Sequence, residues 1–302
     1  MEKMKFDNNY ENLTSLREKS LDLIKENPEL LKFIEEYNIN DVIIMKNASK
    51  FLRYIDLNKY CCNCKSINDC KSSLNGFKAV LEYDEYDNSI ELNFKPCEIN
   101  EKKLELDKKF VYRDFDDSIF EYDFKELLLN QDYKSVRADT FAHLLNIIKK
   151  RSEKGLYLYG PRQNGKSFIL SVFAKTMVKE LKCNACFIDS VSRVKDINDL
   201  YFLNKDAFNE NLKEYINCDI LIFDDFGNEY KNEIIRDMII YPILNERFRQ
   251  RKLTLFSSNY SLDDIEKMYS LKEKYSPRAK QLRELIEASC KCIYLNSLPY
   301  RD

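Results

Sequence analysis

The 302-residue sequence predicts an α/β protein, in which a domain with a central parallel sheet follows a small helical domain that ends in a β-hairpin. Three observations support this fold class. An apolar run at 156–159 is followed by a loop with two glycines and then by an apolar helical stretch. Strand-like and helix-like segments alternate after that helix, as they do in βαβ units. In the first hundred residues, cysteines flank two strand-like runs, which suits a hairpin held by a metal ion.

Composition and charge limit the class of protein. With 44% hydrophobic residues, the chain is long enough to form two domains that each have a core. Charged residues make up 33% of the chain but the formal net charge is −2, so contact with nucleic acid must be local or made through a partner. The first ten residues lack an apolar core, and no later apolar run is long enough to span a bilayer, which predicts a cytoplasmic protein with no membrane partner. In that compartment the ten cysteines are expected to be metal ligands and buried thiols.

The first domain is predicted over 1–105, and its first half is helical in pattern. Asn27 precedes a proline and provides an N-cap for a helix predicted over 29–37. Two strand-like runs follow at 77–83 and 89–94, separated by a turn. The apolar stripes of the helices are expected to form a small core, and part of their surface would serve equally well as a docking face.

A cysteine cluster lies between these helices and the hairpin. Cys61 and Cys64 form C-x-x-C, Cys70 is close enough to be a third ligand, and the hairpin would return Cys97 beside them. Four thiolate ligands leave no open coordination position, so we predict a structural Zn²⁺ site. Cys62 is an alternative to Cys61, and a cluster of cysteines without metal is the alternative to the whole site.

The segment 106–130 connects the two predicted domains. It is rich in Asp and Lys and is predicted to be a linker with at most a short strand at 109–112. The second domain is predicted over 131–302, and it begins with an amphipathic helix over 133–151.

The loop after the first strand of the second domain gives the strongest signal in the sequence. It fits G-x-x-x-x-G-K-[ST] between a strand and a helix, as a phosphate-binding loop requires, with Gly160, Pro161, Arg162, Gln163, Asn164, Gly165, Lys166 and Ser167 as the candidate binding residues. The glycines let the backbone turn its N–H groups toward phosphate oxygens, and the helix N-terminus adds positive potential. Lys166 would reach the β- and γ-phosphates, and Ser167 would bind Mg²⁺. We therefore predict binding of a nucleoside triphosphate with Mg²⁺.

Two later strands end in polar residues that suit the same site. Four apolar residues at 220–223 precede Asp224 and Asp225. Asp224 is predicted to hold Mg²⁺ through its water shell, and Asp225 to orient or deprotonate the attacking water. Asn259 follows another buried strand and is predicted to lie near the γ-phosphate.

The order GPRQNGKS, LIFDDFG and TLFSSN resembles that of the AAA+ ATPases. More narrowly, GLYLYG, IFDDFGNE and LFSSNYSLDDIE are similar to the bacterial replicative helicase loaders of the DnaI/DnaC type, and the helices with a cysteine site resemble the DnaI form. The resemblance implies an AAA+ fold and ATP hydrolysis. It also implies an arginine that reaches the nucleotide of a neighbouring subunit, for which Arg283 is the first choice and Arg278 the second, and a sensing arginine at Arg301.

The predicted function is that of a helicase-loading ATPase. Its first domain would bind the replicative hexameric helicase, and its ATPase domain would self-associate and grip single-stranded DNA. Phosphate contacts are predicted at Arg193 and Lys195 and, with a solvated helix face as an equal alternative, within 247–252. The alternatives are a transposition-accessory ATPase of the same group, a small-molecule P-loop kinase with an arginine-rich lid, and a zinc adaptor without enzymatic activity.

Overall fold

A computed structural model describes residues 9–61, 64–129, 137–150, 154–273 and 276–296. The chain divides into two compact units, Met1–Leu104 and Glu105–Asp302. In the described residues, no helix is long and apolar enough to cross a membrane.

Short helices and one hairpin form the first unit. Its helices are α1 (Asn9–Glu26), α2 (Pro28–Glu36), α3 (Asp41–Lys46) and α4 (Ala48–Asn58). The Asn27 side chain caps α2 by accepting hydrogen bonds from the N–H groups of Glu29 and Leu30, as the sequence predicts. The buried core of this unit consists of Ile24, Leu30, Ile34, Ile39, Ile44, Phe51 and Ile90.

The predicted hairpin is confirmed. Strands β1 (Phe77–Asp84) and β2 (Ser89–Pro96) pair antiparallel, with Phe77 opposite Pro96. The chain therefore returns to the start of β1, and the Cys97 N–H donates to the Gly76 carbonyl at 2.9 Å. Helix α5 (Glu98–Asp107) follows.

The second unit is an α/β/α sandwich. Its strands are β3 (Phe110–Arg113), β4 (Gly155–Tyr159), β5 (Ala185–Asp189), β6 (Ile220–Phe226), β7 (Leu253–Ser258) and β8 (Cys290–Tyr294). Its helices are α6 (Phe124–Leu129), α7 (Ala138–Ile148), α8 (Lys166–Leu181), α9 (Ser190–Leu203), α10 (Lys205–Asn217), α11 (Tyr241–Arg249), α12 (Leu262–Tyr269) and α13 (Pro277–Ser289). A 3₁₀ turn spans Asp117–Glu121, and a π-helical turn spans Ile235–Ile240.

The described strands of this unit form one parallel sheet in the order β3-β5-β6-β7-β4-β8. Both faces of the sheet are covered, as a parallel sheet requires. Alternate residues of β4 show this directly, because Tyr157 packs into one core while Leu156 and Leu158 pack into the other. The predicted parallel α/β sheet is confirmed.

The segment 106–130 differs from the predicted linker. Strand β3 pairs parallel with β5, and the Asp114 carboxylate accepts two hydrogen bonds from Arg193 of α9, at 2.8 and 2.6 Å. The buried Lys175 of α8 donates to the Phe120 carbonyl at 2.7 Å and also to the Tyr122 carbonyl. The segment is therefore fixed to the sheet and to α8, through the Asp114 side chain and through two of its backbone carbonyls.

The predicted basic surface at 247–252 is wrong in part, because Arg247 is not at the surface. Its side chain is fully buried, and its guanidinium bonds the carbonyls of Tyr215, Cys218 and Leu253 and the Thr254 hydroxyl. Arg247 joins the ends of α10, α11 and β7 and is not available to DNA. Arg193 is likewise engaged by Asp114, whose carboxylate raises the pKa of the guanidinium.

Candidate nucleotide-binding site

The strand order brings three polar strand ends together. Strand β7 lies between β4, which leads into the phosphate loop, and β6, which ends in two aspartates. Because the strands are parallel, their carboxyl ends meet at one edge of the sheet, where ligands bind in open α/β sheets. Asn259, which follows β7, is thereby placed between Lys166 and Asp225.

The phosphate loop has the backbone geometry that its sequence predicts. Gly160 has φ of 147°, and a Cβ there would lie 2.4 Å from the Leu295 carbonyl oxygen. Gly165 has φ of 78° and precedes the first residue of α8. Both positions require glycine, the first because of a close approach and the second because of its left-handed conformation. The helix N-terminus then points toward the cavity beside the loop.

Lys166 is buried and held by polar partners. Its ammonium group donates to the carbonyls of Gly160 at 2.9 Å and Pro161 at 2.7 Å, and to Asn259 Oδ1 at 3.2 Å. The Asn259 amide in turn donates through Nδ2 to Asp225 Oδ1 at 2.9 Å. Burial lowers the pKa of Lys166, and the charges of Asp225 and Asp224 act in the opposite direction. One amide thus bridges the cation and the carboxylate of the site.

The two aspartates occupy different surroundings. Asp224 is half-buried and accepts a hydrogen bond from Ser257 Oγ. Burial raises the pKa of Asp224, and the hydroxyls of Ser257 and Ser167 oppose this. Asp225 has a positive φ of 55° in the irregular part of β6, a conformation that Asp tolerates better than most residues. Its Oδ1 also accepts a hydrogen bond from Asn228 Nδ2 at 2.6 Å. Asp224 therefore faces Ser167, while Asp225 faces the cavity.

A cavity of about 770 Å³ contains most of the predicted binding residues. It is lined by Tyr122, Arg137, Arg162, Gln163, Asn164, Gly165, Lys166, Ser167, Phe168, Asp225, Ser257 and Asn259. Sequence reasoning missed Arg137, Tyr122, Phe168, Ser257 and Asn228. The first two lie far from the loop in sequence and give no local signal. Ser257 could have been predicted, because it is a polar residue at the end of an apolar strand, two positions before Asn259.

The structure brings neither candidate trans-acting arginine to this cavity among the residues it describes. Arg283 lies within 3.2–3.8 Å of the carboxylates of Asp263, Glu266 and Glu287. Arg278 lies 3.6 Å from the Asp237 carboxylate and stacks over the Tyr241 ring. Arg301 lies outside the described residues.

The predicted zinc ligands line a second cavity, of about 300 Å³, in the first unit. Cys61, Cys64, Cys70 and Cys97 all contribute to its wall, and Cys62 lies outside the described residues. The charges of Cys70 and Cys97 contribute to raising the pKa of Cys64, after burial as the larger cause. In the part of the chain that the structure describes, no three Cys, His, Asp or Glu side chains are grouped closely enough to hold a metal ion as they stand.

The sequence and structure comparisons with known proteins both find DnaI. No protein-family model matches the chain. The replicative helicase loader DnaI of Bacillus subtilis (strain 168) is 26% identical over 276 residues, which cover 87% of this chain and 83% of DnaI. Two crystal structures share the fold. That of DnaI has 20% identity over 65% of this chain and 99% of its own (TM-score 0.52), and that of a primosome component from Streptococcus pyogenes serotype M3 has 22% identity over 65% of this chain and 97% of its own (TM-score 0.50).

The parallel sheet, the phosphate loop and the acidic strand end define a nucleotide-binding P-loop fold, which this chain shares with both crystal structures. Over most of its length the chain is similar to the replicative helicase loader DnaI, and its second unit shares the fold of the DnaI crystal structure.

Proposed function

We propose that this protein is an ATP-dependent loader that binds the replicative DNA helicase and places it on single-stranded DNA during initiation or restart of replication, in the cytoplasm. The observation that supports this most is the similarity to DnaI, which extends over 87% of the chain and therefore over both units. A small-molecule kinase or a transposition-accessory ATPase would share only the second unit.

The nucleotide site fits ATP with Mg²⁺. The cavity has room for a nucleotide, and its walls offer the Lys166 ammonium and the helix N-terminus at one place and aromatic rings at another. Tyr122 and Phe168 meet edge to face, with ring centroids 4.8 Å apart, and would contact the base. Asn164 is almost fully buried, and its Oδ1 has no hydrogen-bond partner among the described residues, which leaves an acceptor for a ligand or water.

The residues of the chain divide the chemistry of hydrolysis between them. Ser167 and Asp224 would hold Mg²⁺, which when bound neutralises phosphate charge. Lys166 would bind the β- and γ-phosphates, exchanging loop carbonyls for phosphate oxygens. Asp225 would accept a proton from the attacking water, and Asn259, which bridges Lys166 and Asp225, would sense the γ-phosphate.

The first unit would bind the helicase and hold one structural Zn²⁺. Four cysteine side chains around one small cavity are the donor set that zinc prefers, and the hairpin returns Cys97 to the others. The site would fix the segment between α4 and β1, whose described residues contribute nothing to the buried apolar core.

Self-association and DNA binding complete the proposal. Arg283, or Arg278 in its place, would act on a neighbouring subunit's nucleotide, and Arg283 would have to exchange its three carboxylate neighbours to do so. Arg301 would sense nucleotide in its own subunit. Lys195, Arg249 and Arg251 have exposed side chains and are the candidates for the DNA backbone once Arg193 and Arg247 are removed from the set.

A reconstitution with the replicative helicase of the same cell tests the function. Full-length protein should form a complex with the purified helicase hexamer, and ATP should increase the amount of helicase deposited on closed single-stranded circles. Mass photometry measures the complex, and recovery of helicase with the circles measures deposition. A protein that hydrolyses ATP but neither binds the helicase nor changes its deposition would overturn the proposal.

A further inference from the structure

Cations hold three carbonyl groups of the phosphate loop. Lys166 bonds the carbonyls of Gly160 and Pro161, and Arg137 Nη2 donates to the Asn164 carbonyl at 2.9 Å. Arg137 precedes α7, far from the loop in sequence, yet only 6% of its surface is exposed and it lines the nucleotide cavity. The G-x-x-x-x-G-K-[ST] pattern includes Lys166 but does not include Arg137.

The bond to the Asn164 carbonyl has a directional consequence. In a trans peptide the C=O and the following N–H point in opposite directions, so fixing the Asn164 carbonyl also fixes the N–H of Gly165. A phosphate-binding loop needs its N–H groups on the concave side, and its carbonyls must then find partners on the other side. Arg137 provides that partner for Asn164.

The Arg137 guanidinium lies close enough to restrain Gly165 as well as the Asn164 carbonyl. A Cβ placed on Gly165 would lie 3.5 Å from Arg137 Nη2 and 3.7 Å from Nη1, so the guanidinium lies against this residue. Gly165 has φ of 78° and is free to rotate on its own, because it lacks a side chain. A planar guanidinium with several donors restrains such a peptide better than a single ammonium donor does.

We propose that Arg137 is a positioning residue of the nucleotide site, which orients the Asn164–Gly165 peptide so that its N–H is presented to the phosphates. The inference rests on the proposed nucleotide binding and adds a residue to it. Arg137 acts on the ligand through the loop, and it adds a second buried positive charge beside the cavity.

Two substitutions in the full-length protein test this role. Arg137→Gln removes the charge and the fork of donors, and we expect the dissociation constant of a fluorescent ATP analogue with magnesium, and the KM for ATP, to rise about ten-fold or more. The turnover number should change much less, because the orientation serves bound substrate and transition state alike. Arg137→Lys keeps one charged donor and should recover part of the affinity.

Arg113→Gln is the matched control. Arg113 also bonds a backbone carbonyl, that of Phe115 at 2.8 Å, but it does not line the cavity. The Arg113→Gln substitution should leave the KM for ATP unchanged, even if it lowers the melting temperature. A purely structural Arg137 would instead lower the active fraction and the melting temperature with KM unchanged, and that result would overturn the inference.

Lys166→Ala, measured in parallel, separates this inference from the proposed function. If the unaltered protein fails to bind the analogue, nucleotide binding itself is refuted. If the unaltered protein binds it, Lys166→Ala does not, and Arg137→Gln binds as the unaltered protein does, only the role of Arg137 is refuted.

Discussion

At the scale of single residues, the site depends on an amide that links two opposite charges. Asn259 accepts a hydrogen bond from Lys166 and donates one to Asp225, and Asn228 donates a second to the same carboxylate oxygen. Both ends of the Asn259 amide are therefore used. A change at the γ-phosphate position that moved Lys166 would be transmitted to Asp225 through one side chain.

Lys166→Ala and Asp225→Asn should separate binding from turnover. The first removes the ammonium group that would meet the phosphates, so we expect the affinity for ATP to fall by at least ten-fold. The second keeps an oxygen to accept from Asn228 and Asn259, so affinity should be retained while phosphate release falls by at least a hundred-fold. Titration of a fluorescent nucleotide and a phosphate-release assay measure the two effects.

Lys179→Ala is the control for these substitutions, because Lys179 is an exposed lysine on the same helix, α8. It should alter neither measurement. Equal loss of affinity in Lys166→Ala and Asp225→Asn would contradict the assignment of Asp225 to the hydrolytic step.

At the scale of elements, the sequence predicted the strands of the sheet, including a short strand at 109–112 close to β3, but not that the segment around β3 is fixed to the sheet. Strands β4, β6 and β7 are apolar runs that end in polar residues, and burial on both faces makes such runs easy to recognise. Strand β3 has four residues at the edge of the sheet, and the charged residues around it made 106–130 read as a linker. Its fixed position depends on tertiary contacts, such as that of Lys175 with two carbonyls, which have no local pattern.

In the candidate site too, residues with a local sequence pattern were predicted and residues without one were not. Residues 162–167 of the loop, Asp225 and Asn259 line one cavity, because parallel strands bring their carboxyl ends to one edge of the sheet. Arg137 and Tyr122 were missed because single side chains distant in sequence give no periodic signal. Arg247 was misread because an arginine in a basic cluster gives no indication of burial until its carbonyl partners are known.

The Asp114–Arg193 pair should measurably tie β3 to α9. Two hydrogen bonds join the side chains, and the Asp114 carboxylate also accepts the Asp189 N–H at 3.0 Å. Because the arginine side chain is 31% exposed, we expect a coupling free energy of about 1 kcal/mol, near the low end for charged hydrogen bonds. A double-mutant cycle of Asp114→Ala and Arg193→Ala, followed by urea unfolding, measures it.

The Glu246–Arg249 pair is the reference for that cycle. Its side chains are 37% and 71% exposed and 3.4 Å apart, so its coupling should be close to zero. If the Asp114–Arg193 coupling is no larger than that of this pair, the salt bridge does not tie β3 to α9.

At the scale of the whole molecule, the two units differ in how much core they bury. The described core of the first unit is small, and an isolated two-stranded hairpin is marginal in water. A structural zinc ion contributes on the order of 10 kcal/mol of apparent binding free energy. Chelation should therefore unfold the first unit and abolish helicase binding while the second unit still binds nucleotide, and circular dichroism with nucleotide titration would follow both.

Cysteine substitutions make the zinc prediction specific. Cys64→Ser should reduce bound zinc well below one equivalent by elemental analysis, whereas Cys292→Ser, at an exposed cysteine in β8, should leave it unchanged. Less than about half an equivalent in the unaltered, reduced protein, with the first unit still folded, would rule out the site, because structural zinc is inseparable from the fold it supports.

The end of β8 gives the phosphate loop a further dependence. The Leu295 N–H donates to the Tyr159 carbonyl at 2.7 Å, and the Leu295 carbonyl accepts from Asn164 Nδ2 at 3.0 Å, while Gly160 leaves room for that same carbonyl. Strand β8 is at an edge of the sheet, where opening is easiest. Fraying of β8 should therefore weaken nucleotide binding, and nucleotide binding should in turn reduce the fraying of β8. Any partner that stabilises this edge strengthens nucleotide binding by the same factor by which the nucleotide strengthens the partner's hold.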